Sequence, residues 1–423
     1  MTSTTLHRAQ WALPIETPPL SDGAVAVEGD RIAWVGPWSK RPRKYRDLPA
    51  KQLIDHGHAA ITPGFVNPHS HVILHYARGT ADHAGFLDWF REGIITLDMG
   101  DPERNRAACR DGYLEGLNAG ITCWGDNHFR LEPFEVALEL GIRATCFLEV
   151  FGIRGDADKQ LTDLRAKIAE GRAHETEAVR LAFSPHAPYT VPPGLLRAIG
   201  EESRASGRPL SIHLAESREE REYMTSTRGA MRRLFGRQTV KLIPPITTSL
   251  TRYLKDHHCL TERTLVIHGV HLTPDELTDC ARAKATLVHC PVSNSRLRCG
   301  VAPIEDALRR KVRLAIGTDS VASGERHDPF LAMQLAYHLQ QATHSEPVRL
   351  TPAALLQAAT LGGAIALGRG DQLGSLAAGK AADLVILALP PPAHPHRTVE
   401  ESIVLAGERS WVREVWIGGA RRV

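Results

Sequence analysis

The chain has 423 residues, more than one average domain needs but a suitable length for a large α/β barrel with an accessory domain. With 43% hydrophobic and 23% charged residues, its composition is that of an ordinary globular protein. The formal net charge is +3, and no segment mixes basic with aromatic residues, so we expect no nucleic-acid partner. No run of 18 apolar residues occurs, and we expect no membrane association.

The cysteines and the N-terminus bear on the compartment. Seven cysteines form an odd set without a Cys-x-x-Cys pair, and several fall inside apolar segments. Free cysteines of this kind behave as small buried hydrophobic side chains, which favours a reducing compartment. The first residues show no apolar signal core after a basic start. We therefore expect a cytoplasmic protein.

Both ends of the chain are rich in short strand patterns broken by turns. These patterns cover residues 9–13, 23–27, 31–35, 379–387 and 412–417. We expect residues 1–60 and 370–423 to combine in one small β-sandwich. No Gly/Ser-rich or Pro-rich linker separates the ends from the middle, so the two parts should pack together.

Strand and helix patterns alternate through the middle of the chain. The candidate strands are residues 59–68, 121–126, 143–151, 179–185, 210–215, 265–270, 286–291 and 313–318, and helical patterns between them include 105–119, 132–140, 160–171, 194–206 and 274–283. Eight βα units in about 300 residues predict a TIM barrel, (β/α)8, over residues 61–369. An open doubly wound sheet is the alternative, but no Gly-x-Gly-x-x-Gly follows a strand and no P-loop lysine motif occurs.

The barrel places all strand carboxyl ends in one ring, where polar residues would meet. His69 and His71 close the first barrel strand, and the alternation of side chains along a strand points both imidazoles the same way. Two other His-x-His pairs, at residues 56–58 and 394–396, lie in Gly-rich and Pro-rich segments that we interpret as solvated surface. Later strands end in His186, His213, His268, His289 and Asp319. Because all of these histidine and aspartate residues fall at the carboxyl ends of strands, the sequence predicts a metal site there.

The chemistry of four of these residues suits one divalent ion. His69, His71, His213 and Asp319 supply three imidazoles and one carboxylate, which fit zinc or Fe(II) with a water completing the coordination; we favour zinc. Such an ion lowers the pKa of its water towards 7, and Asp319 can take the water's proton. Displacing an amine needs a second proton carrier, and Glu216, three residues after His213, could reach a substrate ring nitrogen.

Other residues near the strand ends have less specific signals. His268 could orient the water or polarise the substrate. Phe86 and Trp89 could wall a pocket for a flat ring, although their spacing fits the core face of a helix equally well. Residues 224–254 are long for a βα connection and are a candidate lid or oligomer contact.

At these residues the chain resembles the amidohydrolase superfamily, and within it the deaminase and chlorohydrolase group. The resemblance covers nearly the whole chain. It is carried by residues 63–71 (PGFVNPHSH), 78–79 (RG), 86–89 (FLDW), 213–217 (HLAES), 268–272 (HGVHL), 289–294 (HCPVSN) and 317–319 (GTD). A narrower likeness, to aminofutalosine and S-adenosylhomocysteine deaminases, is carried by residues 147–152 (FLEVFG) and 184–190 (SPHAPYT).

The resemblance implies a fold, a cofactor and residue roles. It implies a barrel with a β-sandwich from both termini, a single metal ion on His69, His71, His213 and Asp319, and no carboxylated lysine. It further implies that Glu216 is the proton shuttle, that His268 lies beside the water, and that His186 faces the substrate. The expected substrate is then a purine nucleoside derivative such as aminofutalosine, S-adenosylhomocysteine or adenosine, and relatives commonly form homo-oligomers, most simply a dimer.

Two alternatives stay open at this point. The same site could displace chloride or an alkylamine from a triazine-like ring, or open a cyclic amide. A barrel without activity, used for binding or assembly, is the second alternative. Such a barrel would be expected to have lost Glu216, His268 or Asp319, and the chain retains all three.

Overall fold

The computed structural model describes residues 4–80, 85–153, 156–226, 228–390 and 397–423, and residues 237–240 by their backbone only. The pair His394 and His396 lies outside these ranges. The strands are β1 (Thr4–Ala12), β2 (Leu20–Glu28), β3 (Arg31–Pro37), β4 (Leu53–Asp55), β5 (Ala59–Pro63), β6 (Phe65–Ser70), β7 (Ile121–His128), β8 (Arg143–Val150), β9 (Val179–Pro185), β10 (Leu210–Leu214), β11 (Thr264–His268), β12 (Thr286–His289), β13 (Arg313–Ile316), β14 (Leu384–Ala388), β15 (Val412–Ile417) and β16 (Ala420–Arg421).

Helices connect the strands, and many begin at a side-chain cap. They are α1 (Phe86–Asp88), α2 (Pro102–Leu117), α3 (Glu132–Leu140), α4 (Ala157–Arg172), α5 (Pro193–Ser206), α6 (Arg218–Ser226), α7 (Gly229–Leu242), α8 (Leu250–Asp256), α9 (Pro274–Ala283), α10 (Pro291–Arg296), α11 (Ile304–Arg309), α12 (Val321–Gly324), α13 (Pro329–Thr343), α14 (Pro352–Gln357), α15 (Gly363–Ala366) and α16 (Val399–Ala406). Asp101 and Asp156 cap α2 and α4, and Thr273 forms a capping box with Glu276 at α9. None of the described helices is long and apolar enough to cross a membrane.

Strands β6 to β13 form a parallel sheet in chain order that curls into a barrel. Side chains alternate between its two faces: Leu265 and Ile267 of β11 pack inside, whereas Val266 packs against the surrounding helices. The first and last strands meet at a seam, where the Asp319 amide donates to the His69 carbonyl at 3.0 Å. Beside it, the side chain of Asn67 bonds both the amide and the hydroxyl of Thr318. The predicted barrel is therefore confirmed.

The remaining strands form a separate mixed sheet from both ends of the chain. Its order is β16-β15-β14-β5-β1-β2-β3, with β4 paired to β1. One face packs Leu6, Ala24 and Ala26 against Tyr45, and the other face joins strands from both termini around Ile61 and Leu384. The second β unit built by both termini is thus present, while the division at residues 60 and 370 stays a prediction.

The predicted strand over residues 59–68 is wrong as one element. It is two strands in different sheets, β5 in the terminal sheet and β6 in the barrel, joined at Gly64. The Gly64 amide donates to the Asp383 carbonyl at 3.0 Å, and a Cβ on Gly64 would lie 2.0 Å from the Thr122 hydroxyl oxygen. An uninterrupted apolar run hides this change of sheet.

The surface interpretation of His56 is also wrong. Its side chain is buried, and its ring stacks on that of His7 with Nε2 at 3.1 Å from His7 Nδ1. The His56 amide donates to the Arg8 carbonyl at 2.8 Å, which continues the pairing of β4 with β1 past Asp55, while His58 is exposed as expected. A Gly-rich sequence did not signal that burial.

A buried ion pair joins the barrel to the terminal sheet. Arg143, at the start of β8, donates from Nε and Nη2 to the two carboxylate oxygens of Asp383 at 2.8 and 3.0 Å. The Asp383 carboxylate also accepts the Gly418 amide, and its side chain is only 4% exposed. Because the geometry is bidentate and both side chains are largely buried, loss of one partner would leave the other charge uncompensated.

We predict that Arg143→Ala lowers the free energy of unfolding by about 3–5 kcal/mol, since it leaves the Asp383 carboxylate buried without its cation. Chemical denaturation monitored by circular dichroism measures the change. Lys159→Ala is the control because it breaks a solvent-exposed pair with Asp163 and should change stability by less than about 1 kcal/mol. Equal effects of the two substitutions would contradict this role for Arg143.

Candidate active site

Polar side chains from several barrel strands meet at the carboxyl end of the barrel. Asp319 Oδ1 lies 3.5 Å from His69 Nε2 and 3.6 Å from His71 Nε2. One nitrogen each of His69, His213 and His268 also lies within 4.8 Å of the others. Neither ring nitrogen of the fully buried His69 has a well-formed hydrogen bond within the described chain. Orphaned buried nitrogens among convergent donors fit a bound cation.

Hydrogen bonds to carbonyl oxygens fix the orientation of three of the imidazoles. His71 Nδ1 donates to the Asn127 carbonyl at 2.8 Å, and His213 Nδ1 donates to the His186 carbonyl at 2.9 Å. His268 Nδ1 is 2.8 Å from Asn294 Oδ1. Because these acceptors bring no proton, each Nδ1 carries one and each Nε2 keeps its lone pair for the centre.

Asp319 is held as an ionised carboxylate. Its backbone is left-handed at φ 58°, and its two oxygens accept bonds from the Ser320 amide at 2.7 Å and the Ser323 hydroxyl at 2.9 Å. Burial alone would raise the pKa of Asp319, but the approach of His69 Nε2 to 3.5 Å and the charges of His69, His268 and His71 hold it well below the usual value. At neutral pH this carboxylate can accept a proton or bind a cation.

Glu216 and His268 enter the site because the backbone turns at two strand ends. In β10, Ile212 and Leu214 face the helices, so strand alternation alone would direct Glu216 away from the site. Ala215 is left-handed at φ 52°, and this turn brings Glu216 into the cavity. His268 is itself left-handed at φ 67°. Glu216 Oε1 then lies 3.5 Å from His268 Nε2.

The environment shifts the pKa of Glu216 in the opposite direction to that of Asp319. Burial, together with the negative charges of Asp319 and Glu220, raises the pKa of Glu216 well above its usual value. Burial is also the main cause of the lowered pKa of His268. The site therefore pairs two carboxyl groups whose pKa values are shifted in opposite directions, a combination suited to moving protons in both directions.

A cavity of about 400 Å³ opens from these groups and has mostly apolar walls. Phe86, Trp89 and His186, the three substrate-contact candidates from the sequence, all line it. Phe86 begins the short helix α1, whereas Trp89 lies in a π-helical turn and donates from Nε1 to the Ala322 carbonyl at 3.2 Å. Helix α7, within the long 224–254 connection, adds Leu234 and Phe235 to the wall.

His186 presents one hydrogen-bond acceptor to this cavity. Its Nδ1 is 2.9 Å from the Thr190 hydroxyl, which itself donates to the Ala187 carbonyl at 3.0 Å. Since the hydroxyl proton is used, His186 Nδ1 carries the proton and Nε2 is unprotonated. Burial lowers the pKa of His186 to about 3, so the ring is neutral.

The sequence analysis missed two buried carboxylates at the site. Glu149, in β8, lies 3.9 Å from His71 Nδ1 and 4.0 Å from His213 Nδ1. Asp126, in β7, accepts the Ser70 hydroxyl at 2.9 Å and the Val72 amide at 2.8 Å, fixing the chain on either side of His71. Burial raises the pKa of each carboxyl group to about 7. A single acidic residue near the end of an apolar strand was the available signal for both.

His289 takes no part in these contacts. It ends β12 as predicted and is buried, but its two ring nitrogens make no hydrogen bond within the described chain. A histidine at the end of a barrel strand is therefore not always part of the site, and the sequence pattern alone could not separate His289 from the histidines that converge.

Comparison with known proteins places this geometry in a family. The sequence profile of the Amidohydrolase family matches residues 60–421. The chain belongs to this family. A shorter stretch, residues 23–39, matches the imidazolonepropionase-like composite domain of bacteria.

Relatives of this amidohydrolase match over nearly its whole length. A 5-methylthioadenosine/S-adenosylhomocysteine deaminase of Moorella thermoacetica is 30% identical over 416 residues, 96% of this chain and 91% of that protein. The protein of the same name from Desulfovibrio desulfuricans is 32% identical over 379 residues, 88% of this chain and 79% of its own length.

Solved structures agree with the fold. An adenosine deaminase from Xanthomonas campestris with bound zinc superposes with a TM-score of 0.86 at 29% identity, covering 99% of this chain and 92% of that one. The Helicobacter pylori aminofutalosine deaminase gives a TM-score of 0.83 at 22% identity, covering 99% of this chain and 100% of its own. At that lower identity the likeness shows the fold alone.

Proposed function

We propose that this amidohydrolase is a metal-dependent hydrolytic deaminase that releases ammonia from a purine nucleoside derivative. The observation that carries the proposal is geometric: Asp319 Oδ1 lies 3.5 and 3.6 Å from Nε2 of His69 and His71, and Glu216 Oε1 lies 3.5 Å from His268 Nε2 in the wall of the same cavity. The relatives named for deamination of 5-methylthioadenosine and S-adenosylhomocysteine support it.

One divalent ion would be held by His69, His71, His213 and Asp319. The Nε2 lone pairs of His71 and His213, the unbonded nitrogens of His69 and the ionised Asp319 carboxylate make a donor set suited to zinc, which we favour over iron. When bound, such an ion would lower the pKa of its water towards 7, so that hydroxide able to attack carbon would be present at neutral pH.

The chain's own residues would then move the protons. Asp319 accepts the proton that the attacking water loses. Glu216 donates its proton to the ring nitrogen beside the attacked carbon and regains one from the new hydroxyl group as that group becomes a carbonyl. Asp319 passes the proton of the water to the amine, which then departs as ammonia. His268, fastened through Nδ1 to Asn294, offers Nε2 to orient the water or the substrate.

The cavity suits a flat ring carrying a sugar. Phe86 and Trp89 provide aromatic walls, and His186 Nε2 can accept a hydrogen bond from a hydroxyl group. Adenosine, 5-methylthioadenosine, S-adenosylhomocysteine and aminofutalosine, which relatives and structural neighbours are named for, are the substrates to test first.

We also propose a cytoplasmic homo-oligomer, most simply a dimer. All seven cysteines are free and buried, which suits a reducing compartment. The 224–254 connection is a candidate lid or subunit contact, and light scattering on the purified protein tests the oligomeric state directly.

We predict that chelation lowers the melting temperature and that added Zn²⁺ restores it, because an ion that binds only the folded state stabilises it by about 2.7 kcal/mol at 100 times its Kd. Differential scanning calorimetry measures the shift, and metal analysis measures stoichiometry. His213→Ala should abolish the zinc-dependent shift and the metal content, whereas His58→Ala, at the exposed histidine of the His56/His58 pair, should abolish neither. A normal metal content in His213→Ala would exclude His213 as a ligand.

We predict that the metal-loaded protein releases ammonia from one member of a panel of adenine nucleosides, guanine, pterins, cytosine and amino- or chlorotriazines. Glu216→Gln should lower kcat/KM by about 10²–10⁴-fold with the metal retained, since it removes the proton donor. The matched control is Glu219→Gln, three residues further along and outside the cavity wall. Chloride release without ammonia release would replace the deaminase proposal with a chlorohydrolase.

A further inference from the structure

A fully buried carboxylate supports the strand end that carries Glu216. Glu220, in α6, is 0% exposed. Its two oxygens accept the amides of Ala215 and Glu216 at 2.8 and 2.7 Å. Its own amide donates to the Ser217 hydroxyl at 3.1 Å. The carboxylate thus binds the two successive amides that flank the α-carbon of Ala215.

The two amides need this partner because the chain leaves the sheet here. Strand β10 ends at Leu214, whose carbonyl accepts the Gly269 amide, and the Ala215 carbonyl accepts the His271 amide. These bonds satisfy the carbonyls and leave the amides of Ala215 and Glu216 to Glu220. A buried amide without a partner would destabilise the fold, so these two amides require an acceptor.

The same two bonds hold an unfavourable backbone conformation. Ala215 is left-handed at φ 52°, a conformation that is unfavourable for a residue with a Cβ. The two short hydrogen bonds to the Glu220 carboxyl oxygens, at 2.8 and 2.7 Å, offset that cost. Without the turn, strand alternation would direct Glu216 towards the helices, on the side of Ile212 and Leu214.

Helix α6 is itself anchored, which makes Glu220 a rigid support. The next residue, Arg221, donates to the His271 carbonyl at 2.9 Å and pairs with the buried Glu276 at 2.8 Å. Glu276 in turn accepts the Leu250 amide at 2.8 Å. Helix α6 is therefore held by the loop after β11 and by α9, which itself binds α8, and these contacts set the position of the Glu220 carboxylate independently of Glu216.

We propose that Glu220 is a positioning residue, which holds the left-handed turn at Ala215 and so aims the Glu216 carboxyl group at His268. The proposal rests on the proposed function, because positioning matters only if Glu216 moves a proton. Glu220 itself contacts the main chain at Ala215 and Glu216 and does not line the cavity. It acts on the reaction only through Glu216.

Glu220→Gln tests the proposal, because an amide group keeps the shape but replaces one accepting oxygen with a donor. We expect kcat to fall about 10²-fold, the loss that a misplacement of about 1 Å can cause, with KM and metal content unchanged. Glu305→Gln is the matched control: Glu305 is 1% exposed, accepts the Arg349 amide at 2.6 Å, and lies away from the site. It should lower stability and leave kcat unchanged.

Crystal structures of both variants give a readout that does not depend on the reaction. We expect the Glu216 carboxylate to leave its place 3.5 Å from His268 Nε2 in Glu220→Gln and to keep it in Glu305→Gln. If Glu220→Gln does not fold, Ser217→Ala removes the hydroxyl that fixes Glu220 and should give a smaller displacement and a smaller loss of kcat. An unmoved Glu216 in the folded variant overturns the proposal.

The outcomes separate this inference from the function on which it rests. If the wild-type protein releases no ammonia from any amine, the deaminase proposal fails, and the place of Glu216 in the variant crystals still decides the role of Glu220. If the wild type is active and Glu220→Gln keeps its kcat, the positioning role fails while the deaminase proposal stands.

Discussion

The seam between the first and last barrel strands is the constraint on which the rest of the site depends. The hydrogen bond from the Asp319 amide to the His69 carbonyl joins residues 250 positions apart, and Asn67 reinforces it by bonding Thr318 on two sides. Only a closed barrel brings the Asp319 carboxylate within 3.6 Å of both His69 and His71. The same closure of the barrel therefore also brings the residues of the candidate metal centre together.

Chemistry at this centre depends on backbone that is no longer regular strand. Asp319, His268 and Ala215 are all left-handed at the ends of their strands. Each of these conformations costs energy, so each is held by surrounding hydrogen bonds, and strain of this kind collects at functional sites. The turn at Ala215 illustrates the consequence. Without it Glu216 would face the helices, and with it the Glu216 side chain lines the cavity.

Regular periodicity made much of the fold predictable. The helices at residues 132–140 and 274–283 and the strands at 179–185 and 412–417 begin and end as expected, because turn residues or caps bound a clear pattern. The strand over residues 59–68 failed because both of its halves are buried and equally apolar, so nothing in the pattern marked the change of sheet at Gly64.

Only the site residues that end barrel strands could be predicted from the sequence. The histidines and Asp319 end strands in sequence, and a ring of strand ends brings them together. Glu149 and Asp126 act from the strands between, each as a single polar residue in an apolar segment, and their partners come from distant parts of the chain. Glu220 supports main-chain amides, and such contacts follow from local backbone angles that periodicity does not carry.

Anomalous X-ray diffraction at the zinc edge, on crystals of the protein purified without chelator, tests the central claim most directly. We predict one peak at the carboxyl end of the barrel, about 2.0–2.2 Å from Nε2 of His69, His71 and His213 and from a carboxylate oxygen of Asp319. A peak on the other side of the rings, between Glu149 and the Nδ1 atoms of His71 and His213, or a fully metal-loaded protein without a peak at Asp319, would contradict it.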